Sequence, residues 1–482
     1  MRKPVSSIEH RVSSVAILMQ LSAGLALLSV SLGCLAETAA GGTPAPRAAA
    51  GAGTALPYCI VDTGQAHCFS DSGQLLKAPK AGEPFFGQDA FYQGAKPSYR
   101  DNGDGTISDL NTGLMWQKKP VAGLIDRKLT YPEAQAQVKQ CALGGHTDWR
   151  LPTVKELYSL IDFNGNCRAQ PPVPYLATKF FEFRFGDEAK GERLIDAQYW
   201  SSTEYVGQTM RGKATVFGVN FADGRIKGYP RDIGRQGRPT THFVRLVRGN
   251  PDYGKNRFVD NKDGTVSDLA TGLMWAKADS GKGLNWEEAL AYCVNLKLAG
   301  HDDWRLPNAK ELQSIVDYTR APDAQDQARR GPAIDPVFTM TSDESWFWTS
   351  TTHLEGPGRG QGSAGVYIAF CRATGFGGTM APARPAPGPA GQRPLMNVHG
   401  AGAQRSDPKS GDPKSPMWVN GLGPQGDEIR IYNYARAVRN IDPKTVQPVQ
   451  PDLTPLPPAP LRQPRGPFAP PGGPPPKDGP EP

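Results

Sequence analysis

Asp101-Asn102-Gly103-Asp104-Gly105-Thr106-Ile107-Ser108-Asp109-Leu110-Asn111-Thr112-Gly113-Leu114-Met115-Trp116 returns downstream as Asp260-Asn261-Lys262-Asp263-Gly264-Thr265-Val266-Ser267-Asp268-Leu269-Ala270-Thr271-Gly272-Leu273-Met274-Trp275. Two further blocks follow each copy in the same order. The first is Asp148-Trp149-Arg150-Leu151-Pro152 and Asp303-Trp304-Arg305-Leu306-Pro307. The second is Tyr199-Trp200-Ser201-Ser202-Thr203 and Phe347-Trp348-Thr349-Ser350-Thr351. Three ordered blocks per half describe a duplicated globular module of roughly 150 residues, since solenoid repeats are far shorter.

Within each copy, Asp104-Gly105 and Asp263-Gly264 are hairpin turn pairs between short alternating runs. Thr112-Gly113 and Thr271-Gly272 mark a second reversal. Two helices are expected next. Thr130/Glu133 and Asn285/Glu288 head the first, and Thr153/Glu156 and Asn308/Glu311 head the second. All four are capping boxes or close to one. The apolar set Leu157, Leu160, Ile161 matches Leu312, Ile315, Val316 at helical spacing. Strand character returns at 216–221, 243–247, 366–370 and 429–434. The fold class expected is α+β: two tandem modules, each a twisted, mostly antiparallel sheet with two helices.

From these blocks the chain divides into residues 1–36 as a signal peptide, 37–57 as an Ala/Gly/Pro linker and 58–96 as a short cysteine-containing lead-in. Module 1 spans 97–249. Module 2 spans 255–440 and carries a long Gly/Pro-rich insertion at 375–426. A Pro-rich tail at 441–482 lacks the apolar residues for a core and is expected to be disordered. The leading segment has Arg2, Lys3 and Arg11 before a largely apolar Val15–Gly33, then small residues, which reads as an export signal. An uncleaved anchor is the alternative, and Ser31-Leu32-Gly33-Cys34 resembles a lipidation site. The expected location is therefore the periplasm, the cell surface or the medium. Nucleic acid is a poor partner for an exported chain, and membrane contact is expected only through this segment or a lipid on Cys34.

Six cysteines follow the signal: Cys59, Cys68, Cys141, Cys167, Cys293 and Cys371. An even number in an exported chain suggests disulfides, with fifteen connectivities open. Proximity favours Cys59–Cys68, Cys141–Cys167 and Cys293–Cys371. No Cys/His spacing suits a structural zinc, and no cofactor is implied.

The repeated blocks, with the closing Val244-Arg245-Leu246-Val247-Arg248-Gly249, resemble the Legionella collagen-like adhesin C-terminal domain family over most of residues 97–440. The resemblance implies a C-type-lectin-like fold and an exported bacterial protein with an adhesion or glycan-binding role. Many members carry a cysteine between the arginines of the closing strand, paired to the first helix. Here those positions are Leu246 and Ala437, and Cys141 and Cys293 fall at non-equivalent places. No pairing transfers from one module to the other.

Several side-chain groups compete as sites. Asp101, Asn102, Asp104 and Asp109, with Asp260, Asn261, Asp263 and Asp268, suggest calcium. With Asn102 and Asp104 at the third and fifth ligand positions, however, the first falls on Arg100, and in the other copy on Val259. Hairpin turns explain the same residues. His146 and His301 precede the buried-looking tryptophans with no partner nucleophile in both copies. The tryptophans themselves read as core. Arg225, Lys227, Arg231, Arg235, Arg238, Arg245 and Arg248 form a basic strip opposed only by Asp232. Its Arg225, Lys227, Arg231, Arg235 and Arg238, with His399 and Arg405 of the insertion, are the candidate binding residues. Arginine forks suit sulfated or phosphorylated polymers, whereas a charged edge strand is the structural alternative. Gln450-Pro451-Asp452 matches a sugar-selecting tripeptide but lies in the tail.

The reading is an exported, non-enzymatic binding or adhesion protein for an extracellular, anionic glycan or an envelope partner. An enzyme related to the formylglycine-generating fold is one alternative, and would need reactive thiols at Cys293 and Cys371. A structural envelope scaffold is the other.

Overall fold

The computed structural model describes residues 56–120, 127–234, 237–357, 360–377, 395–419, 421–423, 425–445, 447–454 and 456. The expected signal with Cys34, most of the following linker, Arg235, and the tail beyond 456 lie outside the described residues.

Module 1 runs β1 (Tyr99–Asp101), β2 (Thr106–Asp109), β3 (Leu114–Gln117), α1 (Tyr131–Gln140), α2 (Val154–Ser159), β4 (Gln198–Glu204), β5 (Thr215–Asn220), β6 (Arg225–Pro230) and β7 (Val247–Gly249). Module 2 repeats this order as β8 (Phe258–Asp260), β9 (Thr265–Asp268), β10 (Leu273–Ala276), α3 (Trp286–Val294), α4 (Ala309–Ser314), β11 (Trp346–His353), β12 (Ala364–Ala369), β13 (Gln404–Pro408) and β14 (Val438–Asn440). The duplicated block forms the expected hairpins. Asp104 accepts the Thr106 N–H at 3.0 Å and its hydroxyl at 2.6 Å, and Gly105 takes φ +88°, a conformation glycine adopts without strain. Asp263, Thr265 and Gly264 repeat this. All four helices begin on complete capping boxes headed by Thr130, Thr153, Asn285 and Asn308.

The opening strands close into two four-stranded antiparallel sheets, β1-β2-β3-β7 and β8-β9-β10-β14. The later strands do something the sequence did not announce. They merge into one six-stranded sheet, β11-β12-β13-β6-β5-β4, with three strands from each module. The junction is antiparallel, with Gln404 opposite Ile226, which gives the pair a pseudo-twofold arrangement. The core is shared as well: Trp116, Leu157 and Tyr199 belong to the same buried cluster as Trp275, Leu312 and Phe347. Each such side chain contributes about 1.5–3 kcal/mol by burial, so separating the modules would expose many of them at once. α2 packs on α4. Lys155 of α2 donates to the carbonyl of Ser314, the last residue of α4, at 2.6 Å. Lys310 of α4 returns the contact to Ser159, the last residue of α2, at 2.9 Å. A cation there meets the unpaired carbonyls and negative dipole end of a helix. Burial pulls both ammonium groups down to about 8.

Four expectations change. First, the 375–426 insertion is not one loop, because it contains β13, and Val398 to Ala403 are buried ahead of it. Second, the stretches expected as strands at 243–247 and 429–434 form isolated bridges at His242, Phe243, Asn433 and Tyr434, with a strand starting only at Val247. Their peptide groups bond to several separate elements: His242 to Leu129 and Phe243 to β4, Asn433 to Leu284 and Tyr434 to β11. No continuous ladder forms. Third, the described part of the tail folds back: Gln447–Pro448 pairs with Tyr92–Gln93, and the Asp452 N–H donates to Ala66. Fourth, the lead-in precedes module 1 but wraps module 2. Lys409 donates to the Phe69 carbonyl at 3.0 Å, and the Phe85 ring lies 6.5 Å from Trp286.

Candidate functional site

The strip on β6 was expected to face solvent. In a strand, alternate residues share a face, and an edge strand would leave one such face open. β6 is instead central, with β5 on one side and β13 on the other. Lys227 is consequently buried and the Arg225 side chain is only 13% exposed. Both bond to the buried Asp223 carboxylate at 2.9 Å. Module 2 brings its own pair to the same seam. Arg405 on β13 forms an ion pair with Asp427, whose other oxygen meets His399 Nε2 at 2.7 Å. Between them, His353 Nδ1 contacts Ser406 Oγ at 2.8 Å and Arg225 at 3.3 Å. Glu355 accepts from the Tyr175 hydroxyl at 2.7 Å.

Four of the seven candidate residues, Arg225, Lys227, His399 and Arg405, are thus gathered in one place, but as a buried ionic lock between modules. Burial opposes the charge on Asp223, yet Lys227 and Arg225 outweigh it and hold the carboxylate well below its usual range. Burial lowers Lys227 against the pull of Asp223, and lowers both His353 and His399 well below ordinary histidine. It raises Glu355 to about 7. Positive and negative groups nearly balance, so the seam offers no cationic face. The cost of removing these charges from water offsets much of their mutual attraction.

The rest of the strip disperses. Arg231 is 39% exposed and contacts Glu204 at 3.4 Å and Asp232 at 3.5 Å. Arg238 is exposed. Arg245 is fully buried and donates to the carbonyls of Gln117, Lys118 and Glu182, with Phe181 and Tyr199 against its guanidinium. Arg436 is its counterpart in module 2. Arg248 meets Asp148 at 2.7 Å. The hairpin carboxylates serve their turns, and Asp101 and Asp260 also hold lysines.

None of the six described cysteines is disulfide-bonded, which corrects the expected pairing. Cys68, Cys293 and Cys371 are buried singly. Burial pushes the Cys68 and Cys371 thiols up to about 12 and Cys293 higher still, so they pack as neutral small hydrophobes.

What the sequence did not reveal is a cleft of about 940 Å³ on the helix side of the junction. One wall is the start of α2 with Arg150 and the Ser202–Val206 stretch that finishes β4 and runs past it. The other is the Ile315–Thr319 stretch of module 2, and the 251–256 connection forms the floor. Lys155 pins that floor through the Gly254 carbonyl and Asn256 side chain, both at 3.0 Å. Arg150 makes a two-pronged bridge to Glu156 at 2.6 and 2.5 Å, and the Thr203 hydroxyl accepts the Val154 N–H at 3.0 Å. Tyr205 and Tyr318 add aromatic surface. The one sequence signal was the change from Ser-Ser-Thr-Glu at 201–204 to Thr-Ser-Thr-Thr at 349–352, which places a charge beside one site only.

The Lcl C-terminal domain family matches the chain twice, at residues 105–248 and 264–378, together more than half its length. The chain belongs to that family, in two tandem copies. No curated protein and no solved structure matches it.

Proposed function

We propose that this chain is an exported, non-enzymatic binding protein of the adhesion type. Its contact surface is the cleft between the modules, where it holds an extracellular glycan or envelope partner. The observation that carries the reading is the cleft itself. Its walls come from both modules, and a continuous sheet and shared core keep them in fixed relation. A preorganised concave site loses little freedom on binding. The family supports a binding role, and the antiparallel sheets with two helices per module support a C-type-lectin-like reading of the fold. The buried, protonated Cys293 and Cys371 support a non-enzymatic reading over thiol chemistry.

Retention of the full chain on sulfated polysaccharide and on envelope material tests this. Ser202→Trp, which fills the cleft, should weaken retention by about tenfold or more. Arg231→Ala with Arg238→Ala should change it little. The reverse pattern would move the contact to the basic surface and end the cleft reading. Export is checked by the mass of the mature N-terminus, expected to lack residues 1–36.

A further inference from the structure

The pseudo-twofold places the same local structure at two positions, and the chain itself occupies only one. In module 2, residues 61–93 cover the end of β11. The Thr351 hydroxyl donates to the Asp89 carboxyl at 2.5 Å, and the same oxygen accepts the Thr63 hydroxyl at 2.8 Å. The Gln65 carboxamide meets both peptide groups of Thr352: Oε1 accepts its N–H at 2.7 Å and Nε2 donates to its C=O at 2.8 Å. The Tyr92 ring covers Arg305, 5.3 Å from the guanidinium. Under this cover Ser350, Thr351 and Thr352 are at most 1% exposed.

The module 1 counterparts are built alike. Ser202 N–H bonds to Pro152 at 2.7 Å as Ser350 does to Pro307 at 2.8 Å. Thr203 accepts from Val154 at 3.0 Å as Thr351 does from Ala309 at 3.0 Å. Yet Ser202 and Glu204 are exposed and Thr203 is half-buried. The Arg150 side chain is 35% exposed against 5% for Arg305. Glu204 lies opposite Val216, while the next residue, Tyr205, donates its N–H to Thr215 at 2.9 Å. Strand hydrogen bonding alternates, so the Glu204 N–H and C=O point outward from the edge of the sheet, as those of Thr352 do.

We infer that the open cleft of module 1 is a docking site for an extended polypeptide segment of a partner protein. The segment presents a Gln or Asn carboxamide to the Glu204 peptide groups and an Asp or Glu carboxyl to the Thr203 hydroxyl. The inference rests on the binding-protein reading and names the chemistry of its partner. A planar carboxamide offers one donor and one acceptor side by side, which matches the N–H and C=O of a single residue. An unpaired strand edge is a common place for a peptide to add. Module 2 shows the fit at atomic detail, with this chain's own lead-in as the occupant.

The probe is a labelled synthetic peptide of residues 61–93 carrying Cys68→Ser, titrated by fluorescence anisotropy into the full chain. In the full chain the module 2 position is already filled, so the titration reads module 1. One-to-one saturation is expected. Gln65→Ala in the peptide, and separately Ser202→Trp or Thr203→Val in the chain, should each weaken it by about tenfold. Absence of binding, or binding indifferent to all three substitutions, overturns the inference. So does a sulfated oligosaccharide that saturates the cleft when the peptide does not. A chain that ignores the peptide but retains envelope partners through Ser202 loses this inference alone; a chain that binds neither loses the functional reading too.

Discussion

The two second-helix regions put the same arginine–glutamate pair to different ends. Arg305 and Glu311 in module 2 form a two-pronged bridge at 2.6 Å that is nearly sealed from water. Arg150 and Glu156 form the same bridge in module 1 with the arginine a third exposed. Both helices span six residues behind a complete capping box, headed by Thr153 in one and Asn308 in the other, and the bulged strand beside each keeps the same register. Two things differ: the lead-in lies over one copy, and Arg305 there also donates to the Asn440 side chain at 2.9 Å, where module 1 has Gly249. Duplication has preserved the frame, and what covers the frame decides whether it is core or surface.

That comparison can be broken first where it asserts sameness. Arg245 and Arg436 are fully buried and each donate to three backbone carbonyls. Arg245→Ala and Arg436→Ala should each cost about 3–5 kcal/mol in denaturant unfolding, because a large buried side chain is cut from between two aromatic rings and its carbonyl partners lose charge-assisted donors. A loss in one module only would show that the cores are not equivalent. The next test asserts a difference. Arg305→Ala should cost about 3–5 kcal/mol, since Glu311 would be a buried charge without its partner. Arg150→Ala should cost less, about 2–3 kcal/mol, because Glu156 is as buried as Glu311 but water already reaches its arginine and can follow into the vacated space. Equal losses would mean the lead-in does not seal module 2 energetically.

A subtler test uses acid. Burial, reinforced by the charge of Asp62 and opposed by the Thr351 and Thr63 hydroxyls, raises Asp89 from 3.8 to about 7. The fold therefore favours the protonated form. Its contribution is fully present below about pH 4 and is lost as pH rises through about 7. Relative to Asp89→Asn, whose amide does not titrate, the wild-type chain should lose thermal stability progressively across that window. A difference independent of pH would contradict the buried placement of Asp89. Gln65→Ala tests the docking of the lead-in itself. Two neutral hydrogen bonds to Thr352 disappear, and about 1–3 kcal/mol of lead-in docking goes with them, read as faster proteolysis at residues 61–93.

The parts of this comparison that could be read in the sequence are local. Asp-Gly turns and Thr/Asn-x-x-Glu caps act within a few residues, so the hairpins of Asp104 and Asp263 and all four helix starts were legible. The seam was not, because nothing in Arg225-Ile226-Lys227 indicates that a second module supplies β13 alongside it. A strand with charges at alternate positions reads as an exposed edge until its neighbours are known. β13 itself is hidden in a Gly/Pro-rich stretch whose composition signals a loop. The lead-in carries its message in isolated polar residues, Gln65 and Asp89, whose partners Thr351 and Thr352 are more than 260 residues away.

Hydrogen–deuterium exchange of the full chain at two equivalent amides tests the central claim most directly. Thr352 N–H is bonded to Gln65 beneath the lead-in, whereas Glu204 N–H faces the open cleft. The Thr352 amide should exchange about 100-fold more slowly, because it is reached only when the lead-in opens. Adding the 61–93 peptide should slow Glu204 and leave Thr352 unchanged. Equal exchange at the two amides in the free chain would contradict the account of one filled site and one open site.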